Sequence, residues 1–218
     1  MKKIITYVSL FGIVSIITIC FFAFANKKTT NKLIKDEKII HIVPLGDIDE
    51  KYIHFVQDRV SNFYGFKCVI DKRLPLTDDI LAASGKRYEA SKIIVKFNSN
   101  NNILLLTNVD IAHFNKKRNN PEYGIIGLGF RPGKTCVVST FRIKKGVSEK
   151  KMMERLEKVS IHEVGHNLGL DHCTNDKKCL MNDVNGTVTQ IDFEKIWLCD
   201  KCNLQIGRKI KHQISSYK

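Results

Sequence analysis

Apolar residues in the first half of the chain fall into short continuous runs separated by a segment with helical spacing. The runs at residues 38–45 and 66–70 predict two buried strands, the first of which ends at a proline and a glycine. Between them, apolar residues recur every three or four positions from Ile53 to Phe63, which predicts a helix. The pattern therefore predicts a β-α-β unit, and the fully apolar run at residues 103–107 predicts a third, central strand.

Two further strands and a closing helix are predicted in the second half of the chain. Residues 124–130 and 134–140 flank a turn sequence of arginine, proline and glycine, which predicts a β-hairpin. Past Thr189, a last amphipathic helix is predicted from the spacing of Ile191, Phe193, Ile196 and Trp197. Together these elements predict one α/β (α+β) domain with a mixed, twisted sheet of about five strands backed by a helix.

The longest predicted helix begins at Ser148 and carries the most informative pattern in the sequence. Its apolar stripe ends at Val159. The positions three, four and seven residues further along the same face are His162, Glu163 and His166. Gly169 then can adopt the left-handed conformation that ends a helix. One face of the helix therefore changes from apolar to chemically active. The apolar stripe consists of Met152, Leu156 and Val159.

Two histidines one helical turn apart, His162 and His166, can both reach a single metal ion. A turn at Gly169 brings the chain back, so that His172 can supply a third nitrogen. Three protein ligands leave a fourth position for water, which distinguishes catalytic zinc from structural zinc. Glu163 can take a proton from this water and pass it to a leaving amine. The arrangement predicts hydrolysis of peptide bonds.

Four of the seven cysteines follow directly after the histidine motif. Four thiolates would close a structural zinc site and hold the C-terminal segment near the predicted active-site helix. Two disulfides in an oxidising compartment are the alternative, although bound zinc would protect the thiolates. Cys68 and Cys136 lie on predicted strands, either as small buried residues or as a disulfide pair. The four cysteines are Cys173, Cys179, Cys199 and Cys202, the last two in a C-x-x-C arrangement.

The histidine motif and the cysteines after it are similar to those of a known family. Residues 162–172 resemble HExxHxxGxxH, the extended zinc motif of the metzincin metallopeptidases. The cysteine spacing resembles that of the archaemetzincins within this clan, with one residue more between the first two cysteines than is usual there. Upstream, the segments IVPLGDID, ILLLTNVDI and GKTCVVS resemble family strands, so the likeness spans residues 38–205.

The resemblance implies a metzincin-like fold with a small C-terminal part pinned by zinc. It implies that three histidines hold a catalytic zinc ion, that Glu163 is the general base and that Met181 forms a turn beneath the site. It further implies that the four cysteines hold a second zinc ion. In such folds an edge strand commonly binds the extended substrate, and residues 124–130 are the candidate. The implied zinc ligands are His162, His166 and His172, then Cys173, Cys179, Cys199 and Cys202.

The N-terminal segment predicts the compartment of the protein. Two lysines precede an apolar run from Ile4 to Ala25 that is long enough to cross a bilayer. Small residues before Asn26 suit a signal peptidase, so residues 1–25 are predicted as a signal peptide. An uncleaved membrane anchor is the alternative, because basic residues flank the run on both sides. Either assignment predicts that the protein is exported or anchored in a membrane. The rest of the chain is then predicted to form a linker at 26–37, a peptidase domain at 38–206 and a basic tail at 207–218.

Composition limits the class of protein without assigning its chemistry. With 218 residues, 43% of them hydrophobic and 4 prolines, the chain suits one compact domain and excludes a disordered or collagen-like protein. The net charge of +14 suits nucleic acid or an anionic membrane surface. We expect a monomeric zinc metallopeptidase whose partner is a peptide or protein substrate, and the resemblance implies peptidase or aminopeptidase activity. Residues 4–25 can associate with a membrane, and no nucleic acid is expected.

The alternative function is a non-catalytic zinc protein whose cysteines and basic surface bind an acidic protein or nucleic acid. Three features argue against it. The sequence holds a single C-x-x-C unit, and the glutamate of the histidine motif would have no purpose. The predicted export segment would also separate the domain from cytosolic nucleic acid.

Overall fold

A five-stranded mixed sheet forms the centre of the protein, of which the computed structural model describes residues 38–131, 133–183 and 187–206. In chain order the strands are β1 (Ile39–Leu45), β2 (Lys67–Ile70), β3 (Tyr88–Glu89), β4 (Asn102–Thr107), β5 (Ile111–Asn115), β6 (Asn120–Ile125), β7 (Gly127–Gly129) and β8 (Thr135–Ser139). The helices are α1 (Glu50–Tyr64), α2 (Ala90–Lys96), α3 (Thr140–Ile143), α4 (Glu149–Asn167), α5 (Val188–Phe193) and α6 (Asp200–Gln205).

Burial on both faces explains why the inner strands of this sheet are continuous apolar runs. The strand order is β2-β1-β4-β8-β7, so β4 lies in the centre, as predicted. Strand β1 pairs in parallel with β2 and β4, and β8 pairs in parallel with β4. At one edge β7 runs antiparallel to β8. One face packs against α1 and α4, and the other packs against α2.

The predicted β-α-β unit is present, and capping residues set the boundaries of its helix. Asp49 accepts a hydrogen bond from the backbone N–H of Lys51 at 2.9 Å and so caps the start of α1. Gly65 ends the helix in the left-handed conformation, with a φ of 65°. The helical spacing places one side of α1 in the core. The buried residues are Ile53, Val56, Val60 and Tyr64.

The predicted hairpin is present, but its first strand is divided between two sheets. Gly127 pairs with Val138 of β8, whereas Ile125 pairs with Ile111 of β5 in a second sheet of order β3-β5-β6. The chain therefore crosses from one sheet to the other at Ile126. The prediction of one continuous strand over residues 124–130 is wrong, because the unpredicted strand β5 offers β6 a second pairing partner.

Helix α4 begins and ends as the sequence predicts. The side chain of Ser148 accepts a hydrogen bond from the backbone N–H of Lys151 at 3.3 Å. The last helical residue is Asn167, and Gly169 follows with a φ of 96°. The buried face of the helix continues without interruption from Met152 into the histidine motif. The helix thereby carries this motif across one face of the sheet.

The predicted final helix is shorter than its apolar spacing indicates. Helix α5 ends at Phe193, and the following residues bond to an earlier loop. The backbone N–H of Lys195, for example, donates to the carbonyl of Lys178 at 3.0 Å. The expectation that Ile196 and Trp197 continue the helix is wrong, because contacts with this loop replace helical hydrogen bonds. The separate helix α6 follows.

The observed architecture confirms the predicted class, a mixed five-stranded sheet backed by a helix, with cysteines gathered near the C-terminus. In the part of the chain that the structure describes, no helix is both long and apolar enough to span a bilayer. The predicted signal peptide or anchor at 1–25, the linker at 26–37 and the tail at 207–218 lie outside the described residues. These three assignments stay predictions.

Candidate metal centre

Helix α4 and the turn after it bring three histidine side chains together. One ring nitrogen of each lies within 4.8 Å of a ring nitrogen of the others. His162 and His166 are buried, whereas the side chain of His172 is 48% exposed. With Glu163, these residues form what we call the histidine site. It combines a buried base with a side that opens to solvent.

Each of the two buried imidazoles binds a different backbone carbonyl through one of its ring nitrogens. Nδ1 of His162 lies 2.7 Å from the carbonyl of Leu180, and Nδ1 of His166 lies 2.8 Å from that of Leu170. A carbonyl only accepts, so each Nδ1 is the donor and each Nε2 keeps a lone pair. The two Nε2 atoms face each other at 3.0 Å.

Two lone pairs at this distance repel unless a cation binds both. Zinc bonds to histidine of about 2.0 Å in a tetrahedral site separate two nitrogens by about 3.3 Å. The observed 3.0 Å between the Nε2 atoms of His162 and His166 is close to that separation. The residues present therefore fit a zinc ion.

Gly169 both ends α4 and determines how the ring of His166 is oriented. Its φ of 96° reverses the chain, and the N–H of Leu170 then reaches the carbonyl of Gly165 at 3.0 Å. The same reversal places the carbonyl of Leu170 on Nδ1 of His166. The glycine of the motif thus ends the helix and also orients the imidazole.

Glu163 lies directly against the edge strand β7. A Cβ atom on Gly127 would stand 2.5 Å from Oε1 of Glu163, and one on Gly129 would stand 2.9 Å from its backbone oxygen. A side chain at either position would displace the glutamate or the strand. The sequence pattern did not single out these two glycines, although alternating glycines in a strand can signal close approach of another group.

Met181 lies beneath α4, where the family resemblance implies a turn. A Cβ atom on Gly165 would stand 2.6 Å from the sulfur of Met181, so the two residues are in direct contact. On the same side, the hydroxyl of Tyr64 donates to the carbonyl of Ile161 at 2.7 Å. This buried layer holds the helix turn that carries the two histidines.

Burial keeps the histidines in the form that binds a metal. It lowers the pKa of His162 to about 3, with a further contribution from the neighbouring His166, and it also lowers the pKa of His166. Both imidazoles are therefore neutral at neutral pH, which is the ligating form. Burial raises the pKa of Glu163 to about 8, and a cation beside it would favour the carboxylate again.

The four cysteines form a second group, which we call the cysteine cluster (Cys173, Cys179, Cys199 and Cys202). Their sulfurs lie within 4.8 Å of one another, with distances of 3.6 Å from Cys173 to Cys199 and 3.8 Å from Cys179 to Cys202. A disulfide needs about 2.05 Å, so none is formed among these free thiols. Tetrahedral zinc with bonds of about 2.3 Å separates two sulfurs by about 3.8 Å. The spacing therefore fits zinc.

Backbone hydrogen bonds tie the cysteine cluster to the histidine site. The N–H of Asn175 donates to the sulfur of Cys173 at 3.4 Å, and that of Cys199 donates to the sulfur of Cys179 at 3.4 Å. The N–H of Cys173 donates to the carbonyl of Met181 at 2.6 Å. Because Met181 contacts α4, the two groups share one structural connection.

A cleft of about 330 Å³ opens beside the histidine site. It follows α4 from Lys158 to His166, and residues 125–129 form one wall. This wall includes the edge strand β7, so the cleft can accept an extended chain. The rest of the lining includes Asp171, His172, Asp183, Ile191 and Glu194.

The other cysteines and histidines among the described residues belong to neither group, although Cys136 pairs with Gly129 beside Glu163. Cys68 and Cys136 are buried free thiols, which agrees with the first of the two interpretations given for them. Two histidines bind carboxylates, His41 that of Asp71 and His113 that of Glu89. His54 is exposed on α1, and His212 lies outside the described residues.

Comparison with known proteins agrees with this arrangement. A family model described as Peptidase family M54 matches residues 86–208, which include the histidine site and the cysteine cluster. The chain belongs to this family. The matched region begins before the second sheet and covers the whole of α4.

Curated relatives of this M54 chain are named archaemetzincin. The protein of Archaeoglobus fulgidus is 33% identical over 170 residues, which cover 77% of this chain and 98% of that protein. The protein of Haloarcula marismortui is 30% identical over 180 residues, with coverage of 77% and 98%. The resemblance to archaemetzincins inferred from the motifs is confirmed.

Solved structures share the fold of the chain. The archaemetzincin of Archaeoglobus fulgidus, complexed with malonate, has a TM-score of 0.67 at 24% identity and covers 77% of this chain and 99% of that chain. The archaemetzincin of Methanopyrus kandleri has a TM-score of 0.66 at 21% identity, with coverage of 80% and 97%. A zinc-dependent peptidase of Methanocorpusculum labreanum has a TM-score of 0.61 at 19% identity, with coverage of 77% and 99%.

Proposed function

We propose that the chain is a zinc-dependent peptidase that cleaves peptide bonds in the cleft along α4. The observation that carries this proposal is the pair of Nε2 atoms of His162 and His166, which lie 3.0 Å apart beside Glu163. Two lone pairs held this close require a cation, and the neighbouring carboxyl group supplies a base. Membership in a peptidase family supports the same activity.

Each residue of the histidine site has a role in this proposal. His162, His166 and His172 would hold the ion. When bound, zinc supplies the Lewis acidity that acidifies water and polarises a carbonyl group. Glu163 accepts a proton from the attacking water and then donates it to the nitrogen of the leaving amine. The burial of Glu163 against β7 keeps bulk water away from this transfer.

Strand β7 provides a binding edge for the substrate. It is the edge strand of the main sheet, and its residues line the cleft. The free edge can pair with an extended peptide, which adds a strand to the sheet. The partner is therefore a peptide or an extended segment of a protein, held with its backbone parallel to the wall of the cleft.

We assign a second, structural zinc ion to the cysteine cluster, so that each chain holds two. Four buried sulfurs would fill all tetrahedral positions and leave none for water. The hydrogen bond from Cys173 to Met181 connects this ion to the layer beneath α4. Its role is to hold the floor of the histidine site in place.

Metal analysis combined with cleavage profiling tests the proposed function. The full chain, loaded with zinc, is incubated with a diverse peptide library, and the products are identified by mass spectrometry. We expect two zinc ions per chain and cleavage that a chelator abolishes. Glu163→Gln should lower kcat/KM by at least about 100-fold, the usual contribution of a general base. Glu50→Gln changes an exposed glutamate outside the cleft and is the matched control.

The products also decide the finer question of specificity. Release of single N-terminal residues would establish an aminopeptidase, and internal cuts would establish an endopeptidase. Zinc binding without cleavage of any peptide would contradict the peptidase activity and favour a binding role.

We also propose that residues 1–25 direct the chain out of the cytosol, which the lysines before the apolar run support. N-terminal sequencing of the protein from membrane and soluble fractions separates cleavage after Ala25 from an anchor. An uncut chain confined to the cytosol would contradict export.

Light scattering of the purified protein tests the expected monomer.

A further inference from the structure

The cleft extends beyond the histidine site to a polar end that includes Lys158 and Glu194. Lys158 lies one helical turn before His162 on α4, and Glu194 directly follows α5. The roles proposed for the histidine site use neither residue. A half-buried lysine and a buried glutamate are uncommon, because both charges lose hydration. A ligand that binds in the cleft can replace the hydrogen bonds to water that these two side chains lose.

Lys158 retains unused hydrogen-bond donors. Its Nζ atom donates to the carbonyl of Ile191 at 2.7 Å, which uses one of three N–H groups. The nearby carboxylate of Asp192 is already bound by Lys151 and Arg155. Among the described residues, no carboxylate lies within ion-pair distance of Lys158. The ammonium group can therefore donate to a ligand in the cleft.

Glu194 retains unused acceptor positions. The residue is 4% exposed, and its Oε1 atom accepts a hydrogen bond from Nε2 of Gln190 at 3.3 Å. A carboxylate has about four acceptor positions, so several stay available. In the described part of the chain, no basic side chain forms an ion pair with Glu194. Burial raises the pKa of Glu194 to about 7, although the hydrogen bond from Gln190 and the charge of Lys158 both lower it.

We infer that Lys158 and Glu194 form a specificity subsite for a glutamine side chain of the substrate. This inference rests on the proposed peptidase function. The carboxamide of glutamine has an oxygen that can accept from Lys158 and an NH₂ group that can donate to Glu194. Above about pH 7, where Glu194 is charged, Glu194 would repel a substrate carboxylate, and Lys158 would repel a substrate ammonium. An uncharged end that both donates and accepts satisfies the two residues together.

The position and walls of the subsite agree with this assignment. Lys158 precedes His162 by four positions, a distance of about 6 Å along α4. An extended peptide advances about 3.3 Å per residue, so the subsite faces a substrate residue within two positions of the scissile bond. Val159 and Ile191 line the same end of the cleft and offer apolar contacts for the two methylene groups of glutamine.

Peptides that differ at one position test the subsite. Kinetics are measured with the zinc-loaded full chain on peptides carrying glutamine, glutamate or lysine at each of the two positions on either side of the cut. We expect glutamine to be favoured at one of them by about tenfold or more in kcat/KM, the effect of one hydrogen bond to a charged group.

Two variants should shift this preference in opposite directions. Glu194→Gln removes the repulsion of acidic side chains and should raise cleavage of the glutamate peptide relative to the glutamine peptide by about tenfold. Lys158→Met keeps the length of the side chain, removes its charge and should raise cleavage of the lysine peptide by a similar factor. Glu50→Gln and Lys195→Met, both exposed and outside the cleft, are the matched controls.

Binding measurements separate the subsite from the chemistry. Fluorescein-labelled peptides with the same three residues are titrated onto zinc-loaded Glu163→Gln, and glutamine should bind most tightly. Cleavage that ignores this position, with unshifted preferences in both variants, would overturn the subsite and leave the peptidase function standing. A wild-type chain that cuts no peptide would overturn the function, and the binding order would then decide the subsite. If one variant fails to fold, the shift in the other still decides.

Discussion

The histidine site and the cysteine cluster both gather metal-binding side chains, but they differ in how the chain builds them. The histidine site takes two ligands from one turn of α4 and a third from the turn that follows, all within residues 162–172. The cysteine cluster draws its ligands from residues 173–202, mostly from loops. His172 is 48% exposed, whereas all four clustered cysteines are buried.

This difference separates a site for chemistry from a site for structure. A helix holds His162 and His166 through its own hydrogen bonds, so their geometry does not depend on a metal ion. Loops around the cysteine cluster have fewer internal hydrogen bonds, so an ion would hold them together. The open site can exchange its ligand with the cleft, and the closed one cannot. Four predictions test this comparison.

The largest effect should come from mild chelation. We expect a chelator to remove the ion at the exposed histidine site first and to abolish cleavage completely. Near-UV and far-UV circular dichroism should stay unchanged, because the cysteine cluster keeps its metal. Metal content, activity and spectra are measured on the same samples. Loss of the cysteine-bound metal before the activity would show that the cluster is the more open site.

The next effect should be a loss of stability. Cys199→Ser removes one ligand of the cysteine cluster and should lower the free energy of unfolding by about 3 kcal/mol or more. Cys68→Ala, at a buried free thiol outside the cluster, should cost about 1 kcal/mol and serves as the control. Chemical denaturation with zinc analysis checks both. Equal stability of the two variants would contradict a structural role for the cluster.

A third effect concerns the strand that lies against the base. Gly127→Ala places a methyl group 2.5 Å from Oε1 of Glu163, which is too close, so it should misplace the carboxyl group. We expect kcat/KM to fall by about 100-fold, as for other small misplacements of reacting groups, with both zinc ions retained. Gly146→Ala strains an exposed turn at a φ of 67° outside the cleft, so it controls for backbone strain and should lower stability while leaving kcat/KM unchanged. Unchanged kinetics of Gly127→Ala would show that strand β7 does not constrain the base.

The smallest effect is a pH dependence of stability that comes from Glu194 in the cleft. The pKa of Glu194 is about 7 in the folded protein because of burial, against an ordinary value of 4.5. The folded state therefore binds this proton more tightly, and the residue lowers stability as the pH rises from about 4.5 to about 7. Glu194→Gln lacks this penalty. Its free energy of unfolding relative to the wild type should rise by about 1–3 kcal/mol between about pH 5 and about pH 8. A difference that stays constant with pH would show that Glu194 does not titrate in this range.

Local periodicity explains which elements could be predicted from the sequence. Helix α4 was predicted with its caps at Ser148 and Gly169, because helical spacing and capping residues act over a few positions. The central position of β4 followed from its uninterrupted apolar run. Where distant segments compete for pairing, the prediction was wrong. Strand β6 pairs with the unpredicted β5. Trp197 lies outside the expected helix, and its carbonyl accepts a hydrogen bond from Leu180, next to Cys179.

The amino-acid sequence alone was sufficient for the metal-binding motif, the class of fold and the likeness to archaemetzincins, because these depend on residue types at short, regular spacings. Only the folded chain showed that Gly127 and Gly129 make room for Glu163, and that Lys158 and Glu194 line the same cleft. These contacts join residues far apart in sequence. They depend on how helices and strands pack, and no local pattern of residues encodes such packing.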